Sequence, residues 1–400
     1  MYRLKRFLEL YLLKIYNIGL ERNFRTVLFL IDLFLPKSDF KIQKENNIQI
    51  NSPSMQKQDL PIFAQEISLV EKLPENDELT TIIFIVPNSD ETLTKLTILK
   101  LAKSLDHVYN VNYIVITRFG ELVLSNRTFN SILSIEEIIN TEPDLIFFEI
   151  HTIYEKYGLI NEQDFISLKR FTKTKIVGIC FDIWRDFDIR FIHKWESLVD
   201  NFIHMDQDSV DKYSLSPDKM IFWPFAGWVN QTIPKPNKDN VIIFSGNLRP
   251  SDRRYALKHI KKISTKLKLR MYINKIDHSH SGESKFEEIY YDNLNRSQYV
   301  IGLAQKSKKS TLITFRTLES IHLNCTLLQQ ELDGSSPLSM MFVPNTHYLP
   351  FKSLDDIELL LSNIAQQEDK YLTIGKSGGD FMSKYYSPKL MWKYLLYKLD

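Results

Sequence analysis

A turn of small residues, Ser245-Gly246-Asn247, follows a short apolar run and precedes a stretch with helical periodicity. Small residues that open a helix present backbone N–H groups without partners, and the helix dipole adds partial positive charge there. Arg253 and Arg254 fall in the first turn of the predicted helix, where a cation is unfavourable unless an anion is nearby. We therefore predict a phosphate site at this turn. The alternative is an ordinary strand-to-helix turn with solvated arginines.

Arg316 and Glu319 form a second candidate pair near the start of another predicted helix. Residues three apart on a helix share a face, so the guanidinium and the carboxylate are expected to lie side by side. Arginine can hold a diphosphate bidentately, and a carboxylate can accept hydrogen bonds from ribose hydroxyls. Lys275, at the end of a predicted strand, would add a phosphate contact. The alternatives are a surface ion pair for the first two residues and a solvated strand end for Lys275.

These candidates lie in a chain whose apolar β-branched runs alternate with amphipathic stretches from Thr80 onward. We predict strands at 80–86, 111–117, 144–150, 175–181, 201–205, 220–223, 241–244, 269–273, 299–304 and 326–329. We predict helices at 91–105, 163–171, 252–267, 285–295 and 315–323, and a helical tail from 354 to 399 that is broken near 377–379 and at Pro388. Strands apolar on both faces, alternating with helices, indicate parallel sheets covered on both sides.

The segment from Trp223 to Asp239 contains three prolines and a glycine and has the composition of a linker. The sequence thus predicts an α/β fold with two Rossmann-like lobes facing across a cleft, a helical N-terminal extension and C-terminal helices. In such sheets ligands bind at the carboxyl ends of the strands. We divide the chain into an extension (1–75), an amino lobe (76–235), a carboxyl lobe (236–385) and a C-terminal helix (386–400) that crosses back to the amino lobe.

Composition and motif spacing argue against nucleic-acid binding and against a metal site. The chain has 51 Lys and Arg against 49 Asp and Glu, so its net charge of +2 provides no global field for nucleic acid. The two cysteines, Cys180 and Cys325, lie in apolar runs and are read as buried thiols, with a disulfide left open. No CxxC or HExxH spacing is present, and His278 with His280 makes a weak ligand set, so we assign no metal.

The first 35 residues mix basic side chains with apolar ones at helical spacing. One interpretation is a helix that lies on an anionic membrane surface, and the other is a helix packed on the protein itself. The apolar stretches are too short for a spanning helix, which needs about 20 residues, and no secretory signal pattern is present. We expect a cytoplasmic protein; under the first of these two interpretations it would also contact the cytoplasmic face of a membrane through residues 1–35.

The segments FRTLESIHLNCTLLQQE and FVPNTHYLPFKSLDDIELLL resemble the carboxyl lobe of GT-B glycosyltransferases, especially the group related to spore-maturation glycosyltransferases with its Arg-x-x-Glu helix start. The resemblance spans about residues 143–364. It implies that Glu319 binds the nucleotide ribose, that Arg316 and the turn at Ser245 face the diphosphate, and that no metal cofactor is obligatory. Many retaining members carry a glutamate eight positions earlier, where this chain has Thr311, so the stereochemical outcome stays open.

The amino lobe would then supply the acceptor side. His151 and Asp182 follow predicted strands, and a carboxylate or imidazole there could deprotonate an acceptor hydroxyl. Trp184 could stack on a sugar face, and His204 stands at another strand end. A capping aspartate or a structural histidine is the alternative for each.

Together these patterns predict transfer of a sugar from a nucleotide-diphosphate donor to a glycan, lipid-linked or protein acceptor in surface polysaccharide or glycoconjugate synthesis. The alternatives are a non-catalytic scaffold of the same fold that binds nucleotide sugar or glycan, and a sugar-nucleotide epimerase.

Overall fold

The protein is described by a computed structural model. It describes residues 60–74, 80–86, 93–108, 110–117, 122–126, 134–149, 162–171, 173–180, 186–205, 207, 210, 214–225, 234–235, 238–246, 248, 251–275, 284–303, 305–307, 310–311, 313–331 and 337–400, with only the backbone for some of them.

Strands and helices alternate along most of this chain. The strands are β1 (Thr80–Val86), β2 (Val111–Thr117), β3 (Leu122–Ser125), β4 (Leu145–Glu149), β5 (Lys175–Cys180), β6 (Asn201–His204), β7 (Met220–Phe222), β8 (Asp239–Gly246), β9 (Arg270–Lys275), β10 (Ser297–Gly302), β11 (Gln305–Ser307), β12 (Ser310–Thr311), β13 (Thr326–Gln330) and β14 (Leu349–Phe351). The helices are α1 (Ile62–Glu71), α2 (Leu93–Lys103), α3 (Ile135–Asn140), α4 (Glu162–Phe171), α5 (Asp186–Trp195), α6 (Ser251–Lys266), α7 (Ser284–Arg296), α8 (Phe315–His322), α9 (Leu354–Gln366), α10 (Glu368–Tyr385) and α11 (Pro388–Leu399).

The amino lobe is built on a seven-stranded sheet in the order β3-β2-β1-β4-β5-β6-β7. All neighbours in it are parallel except β3, which runs antiparallel to β2. Alternate residues of β1 pack on opposite faces: Phe84 belongs to one apolar cluster, and Ile83 and Ile85 belong to another. Burial on both faces explains why this strand reads as an unbroken apolar run.

The carboxyl lobe is built on a five-stranded parallel sheet in the order β14-β13-β10-β8-β9. Counted along the chain from β9, the order is 2-1-3-4-5, which is a doubly wound arrangement. Its direction of winding reverses between β8 and β10, and ligands of such sheets bind outside the carboxyl ends of the strands at that point. Together the two sheets confirm the prediction of two Rossmann-like lobes.

Helix α11, at the C-terminus, packs on the amino lobe. The Trp392 indole donates to Ser104 Oγ at 2.8 Å, and its ring meets Phe84 and Phe147 edge-on. Trp223, where the predicted linker begins, donates to the Met391 carbonyl at 2.9 Å. Because Trp392 is fully buried, these contacts tie the end of the chain to the core of the amino lobe.

The predicted helix break at residues 377–379 is wrong, because α10 runs unbroken through Gly378 and Gly379. The glycines of this helix instead allow close packing. A Cβ on Gly375 would lie 2.7 Å from the Asn324 carbonyl oxygen, and one on Gly378 would lie 2.6 Å from the His347 carbonyl oxygen. The tail is broken at Gln367, between α9 and α10, and before Pro388.

The two cysteines are buried and free, which confirms the prediction of two buried thiols. The structure also contains elements that the sequence patterns do not predict, namely the helices α3 and α5, the strand β3, the edge strand β14 and the hairpin of β11 and β12. Helix α1 lies in the N-terminal extension of residues 1–75, and it buries Phe63, Ala64, Ile67 and Val70.

Candidate functional site

Two helix N-termini meet at the carboxyl end of β8. Helix α6 begins shortly after this strand, with Arg253 in its first turn, and α8 begins at Phe315, with Arg316 in its first turn. The capping box of Thr314 and Thr317 fixes the start of α8. Each helix therefore places a cation where its own dipole disfavours one.

The Arg316 guanidinium lies directly against the backbone of Gly246. A Cβ on Gly246 would come within 2.5 Å of Arg316 Nη2 and 3.0 Å of the ring of Phe244. Arg316 Cζ also lies 5.1 Å from the centroid of the buried Phe244 ring, a cation–π distance. Gly246 is thus the residue that makes room for the guanidinium at the end of the strand.

Arg253 approaches the same aromatic ring, with its Cζ 5.9 Å from the Phe244 centroid. Burial, and then the positive charge of Arg316, lower the pKa of Arg253 from its usual value. Two guanidinium groups that repel each other at a partly buried position constitute a site where an anion would be stabilised. The adjacent Arg254 is exposed on the outside of α6, so the structure separates the two arginines that the sequence places together.

Two buried polar atoms at this position need a hydrogen-bond partner. Ser245 is fully buried, and no partner for its Oγ or for Arg316 Nε lies in the part of the chain that the structure describes. Buried polar atoms are almost always paired in native proteins. A hydrogen-bond acceptor such as a phosphate oxygen would satisfy Arg316 Nε, and Ser245 Oγ could donate to one.

Glu319 is held by two tyrosines that the sequence patterns do not single out. Its two carboxylate oxygens accept hydrogen bonds from Tyr290 at 2.6 Å and from Tyr291 at 2.7 Å. Glu319 is only 5% exposed, so the alternative of a surface ion pair does not describe it. Burial, and then the Glu319 charge, raise the pKa of Tyr290 well above its usual value, whereas the charge of Arg316 and a hydrogen bond with it act in the opposite direction.

This cluster reaches the amino lobe through Lys100 of α2. Lys100 Nζ lies 3.4 Å from the Tyr291 hydroxyl and 4.9 Å from the centroid of its ring. A chain of contacts therefore runs from Arg316 through Tyr290, Glu319 and Tyr291 to the other lobe. Sequence patterns do not predict these contacts, because the two tyrosines precede Glu319 by 28 and 29 positions. The packing of α7 against α8 brings them together.

Several predicted site residues lie outside the described part of the chain: Asn247, His151, Asp182, Trp184 and the side chains of Lys275 and Thr311. Of the others, the structure brings Ser245, Gly246, Arg253, Arg316 and Glu319 together. It places His204 in the core instead, where it is fully buried beside Phe222 with their rings 5.8 Å apart.

Within the described ranges, no three His, Cys, Asp or Glu side chains converge as a metal site would require. None of the helices in these ranges has the length and hydropathy to cross a bilayer.

The amino-acid sequence matches no known protein family and no curated protein. The fold, in contrast, is similar to solved glycosyltransferases. An alpha-glucosyltransferase in complex with UDP and DNA shares 9% identity at a TM-score of 0.51, over 80% of this chain and 99% of that one. Anabaena HepE, solved with UDP and glucose, shares 10% identity at a TM-score of 0.49 over the same fractions. AviGT4, a glycosyltransferase of avilamycin A biosynthesis, shares 10% identity at 0.47, over 80% and 97%. The chain therefore has the two-lobed fold of GT-B glycosyltransferases.

Proposed function

We propose that the protein is a glycosyltransferase that takes a sugar from a nucleotide-diphosphate donor bound at the carboxyl lobe. The observation that carries this proposal is the pair of guanidinium groups, Arg253 and Arg316, held against Gly246 at the carboxyl end of β8. As the bond from the sugar to the diphosphate breaks, negative charge grows on the leaving diphosphate. Arginines already in place would stabilise that charge without reorganisation.

In this proposal Glu319 binds the ribose. Its oxygens accept hydrogen bonds from the two tyrosines, and because an ionised carboxylate has about four lone-pair sites it can accept from more than two donors, among which a ribose hydroxyl would be one. Tyr290 and Tyr291 hold the carboxylate in one orientation. Asn247 and Lys275 would add contacts to the diphosphate, and the residues present do not require a metal for this binding. The Arg-x-x-Glu start of α8 is the basis for the closer resemblance to the spore-maturation group.

The amino lobe would bind a glycan, lipid-linked or protein acceptor. Asp182 and His151 are the proposed bases for an acceptor hydroxyl if transfer inverts configuration. Residues 1–35 would hold the enzyme at the cytoplasmic face of a membrane, where surface polysaccharides and glycoconjugates are assembled. Asp182→Asn and His151→Asn test the two bases separately, since the true base should be needed for turnover but not for donor binding.

A thermal-shift screen against UDP, GDP, CDP, CMP, dTDP and ADP tests the donor site. A ligand at a hundredfold excess over its Kd stabilises the fold by about 2.7 kcal/mol, which is a readily measured shift. We expect a clear shift with one of these nucleotides and its loss in Arg316→Ala. The absence of a shift with every nucleotide would contradict the proposed donor site.

A non-catalytic scaffold of the same fold is the second candidate, because Thr311 stands where many retaining enzymes carry a glutamate. The two differ in turnover. In an enzyme, Glu319→Gln should abolish sugar transfer or donor hydrolysis, whereas in a scaffold the wild type turns over no donor and the variant only weakens ligand or partner binding. An epimerase would convert the nucleotide sugar without an acceptor, which analysis of the recovered donor would detect.

A further inference from the structure

Helix α6 has two chemically different faces. Its inner face packs on the sheet through Leu257, Ile260 and Ile263, which are nearly or fully buried with Phe244. At 100° per residue, Arg253 lies near this inner face, in agreement with its approach to Phe244. The outer face is opposite, and it is the part of the helix that the fold leaves in solvent.

This outer face is uniformly basic. All of its charged residues are cations, and all are exposed: Arg254, Lys258, Lys261, Lys262 and Lys266. They fall within about 140° of the helix circumference and extend over about 18 Å, since each residue adds 1.5 Å. We call these five residues the outer basic face. The helix contains a single acidic residue, Asp252, which lies in its first turn.

This one-sided charge contrasts with the nearly neutral total of the chain, whose net charge is +2. Surface helices gain stability by interspersing acids and bases at i,i+4, whereas here Arg254 and Lys258, and Lys258 and Lys262, repel each other at that spacing. Tyr255 lies at the margin of the face and is 67% exposed. Tyrosine is enriched at the headgroup level of bilayers, and lysines are attracted to anionic headgroups, so the two together favour contact with a membrane surface.

We propose that the outer basic face of α6 docks the protein on an anionic lipid bilayer. The cations lie in a row on the outward, convex surface of a helix, which is complementary in charge to a planar anionic membrane. Proteins that bind single-stranded nucleic acid instead usually have a positively charged groove that follows the nucleic-acid backbone. The site is separate from the guanidinium pair and does not depend on the proposed sugar transfer. It also differs from residues 1–35 in sequence, so the protein would have a second membrane-binding segment, on its carboxyl lobe.

Vesicle co-sedimentation of the full chain tests this proposal, with phosphatidylglycerol–phosphatidylcholine vesicles compared with pure phosphatidylcholine vesicles. Each Lys near an anionic surface strengthens binding about fivefold, so Lys258→Glu/Lys262→Glu should weaken binding at least about 25-fold. The matched control is Lys376→Glu/Lys384→Glu, which changes the charge equally at two exposed lysines of α10. We expect this control to bind like the wild type, and circular dichroism to show all three proteins folded.

Three results would overturn the proposal. Wild-type binding by the Lys258/Lys262 variant would assign membrane contact to another part of the chain, such as residues 1–35. An equal loss in the α10 control would indicate a response to net charge alone. Failure of the wild type to bind anionic vesicles, with binding to single-stranded DNA or polyphosphate in the same buffer, would assign the face to a soluble polyanion.

Discussion

The guanidinium of Arg316 occupies the space that a side chain on Gly246 would fill, 2.5 Å from the position of its absent Cβ. Gly246 ends β8 and Arg316 lies in the first turn of α8, so two residues 70 positions apart in sequence fit together at one point. The Phe244 ring lies against the same guanidinium, with its centroid 5.1 Å from Arg316 Cζ. This fit, rather than a glycine-rich motif, defines the candidate anion site.

Gly246→Ala is predicted to weaken nucleotide binding while leaving the fold nearly as stable. The new methyl group meets the far end of the flexible Arg316 side chain, which can shift at little cost, and the Phe244 ring at 3.0 Å need give only slightly, but the guanidinium then leaves its position. We expect at least a tenfold increase in Kd for the nucleotide found in the screen and a change in unfolding free energy of about 1 kcal/mol or less. Equal affinity in Gly246→Ala and the wild type would contradict the proposed position of the anion.

Tyr290→Phe is predicted to destabilise the protein by about 1–3 kcal/mol. The substitution removes a donor to a buried carboxylate, and water has little access to Tyr290, which is only 9% exposed, to replace the lost hydrogen bond. Tyr291→Phe is the matched control: Tyr291 is only partly buried, so water can take its place and the loss should be smaller. Urea denaturation measures both. Similar stability of Tyr290→Phe and the wild type would indicate that Glu319 is satisfied in another way.

Acid is predicted to destabilise the fold through two buried histidines. Burial lowers the pKa of both His322 and His347 to about 4, from about 6.5 in the unfolded chain. Because the folded state disfavours their charged form, this stability is present above pH 6.5 and is lost as the pH falls towards 4. Each histidine should contribute a loss of about 3 kcal/mol over this range, an order-of-magnitude value.

His347→Asn isolates one of these contributions. His347 Nδ1 accepts the Val343 N–H at 3.0 Å, and an asparagine oxygen can take that hydrogen bond without titrating. The variant should lose less unfolding free energy than the wild type between pH 7 and pH 4 in urea titrations. The same pH dependence in both proteins would show that His347 does not titrate in this range.

Gly375→Ala is predicted to destabilise α10 although alanine is the better helix former. Alanine inside a free helix gains about 1 kcal/mol over glycine. Here its Cβ would lie 2.7 Å from both the Asn324 carbonyl oxygen and the Thr326 nitrogen, which are backbone atoms that cannot move away cheaply. We expect a net loss of about 1–3 kcal/mol in thermal or urea unfolding. Thr373→Ala, at an exposed position of the same helix, should be neutral or slightly stabilising, and a stabilising Gly375→Ala would contradict the packing of α10.

The parts of the fold that periodicity predicts best are the strands buried on both faces. The observed limits of β1 and β2 coincide with their apolar runs, since such strands carry an unbroken apolar signal. The sequence pattern does not predict strand β14, because Pro350 lies at its centre. Proline is tolerated there because the strand is at the edge of the sheet.

The candidate site was predictable only in part. Helix-start rules predict that Arg253 and Arg316 are cations near helix N-termini, and both lie there. They do not distinguish Arg253 from Arg254, because both residues lie in the same first turn. In the structure, the rotation of the helix between adjacent residues turns Arg253 towards Phe244 and Arg254 to solvent. The helix-start rules also do not find Tyr290, whose contact with Glu319 depends on the packing of two helices.

The most direct test of the diphosphate site is a calorimetric titration with the nucleoside, the nucleoside monophosphate and the nucleoside diphosphate of the base found in the screen. Hydrogen bonds to charged groups contribute about 1.5–3 kcal/mol, so affinity should rise steeply with each phosphate in the wild type. We predict that the ratio of diphosphate affinity to nucleoside affinity falls at least tenfold in Arg253→Ala and in Arg316→Ala. In Arg254→Ala, where the replaced side chain faces outward, this ratio should equal that of the wild type. The same gain from nucleoside to diphosphate in all four proteins would contradict the assignment of the guanidinium pair to the diphosphate.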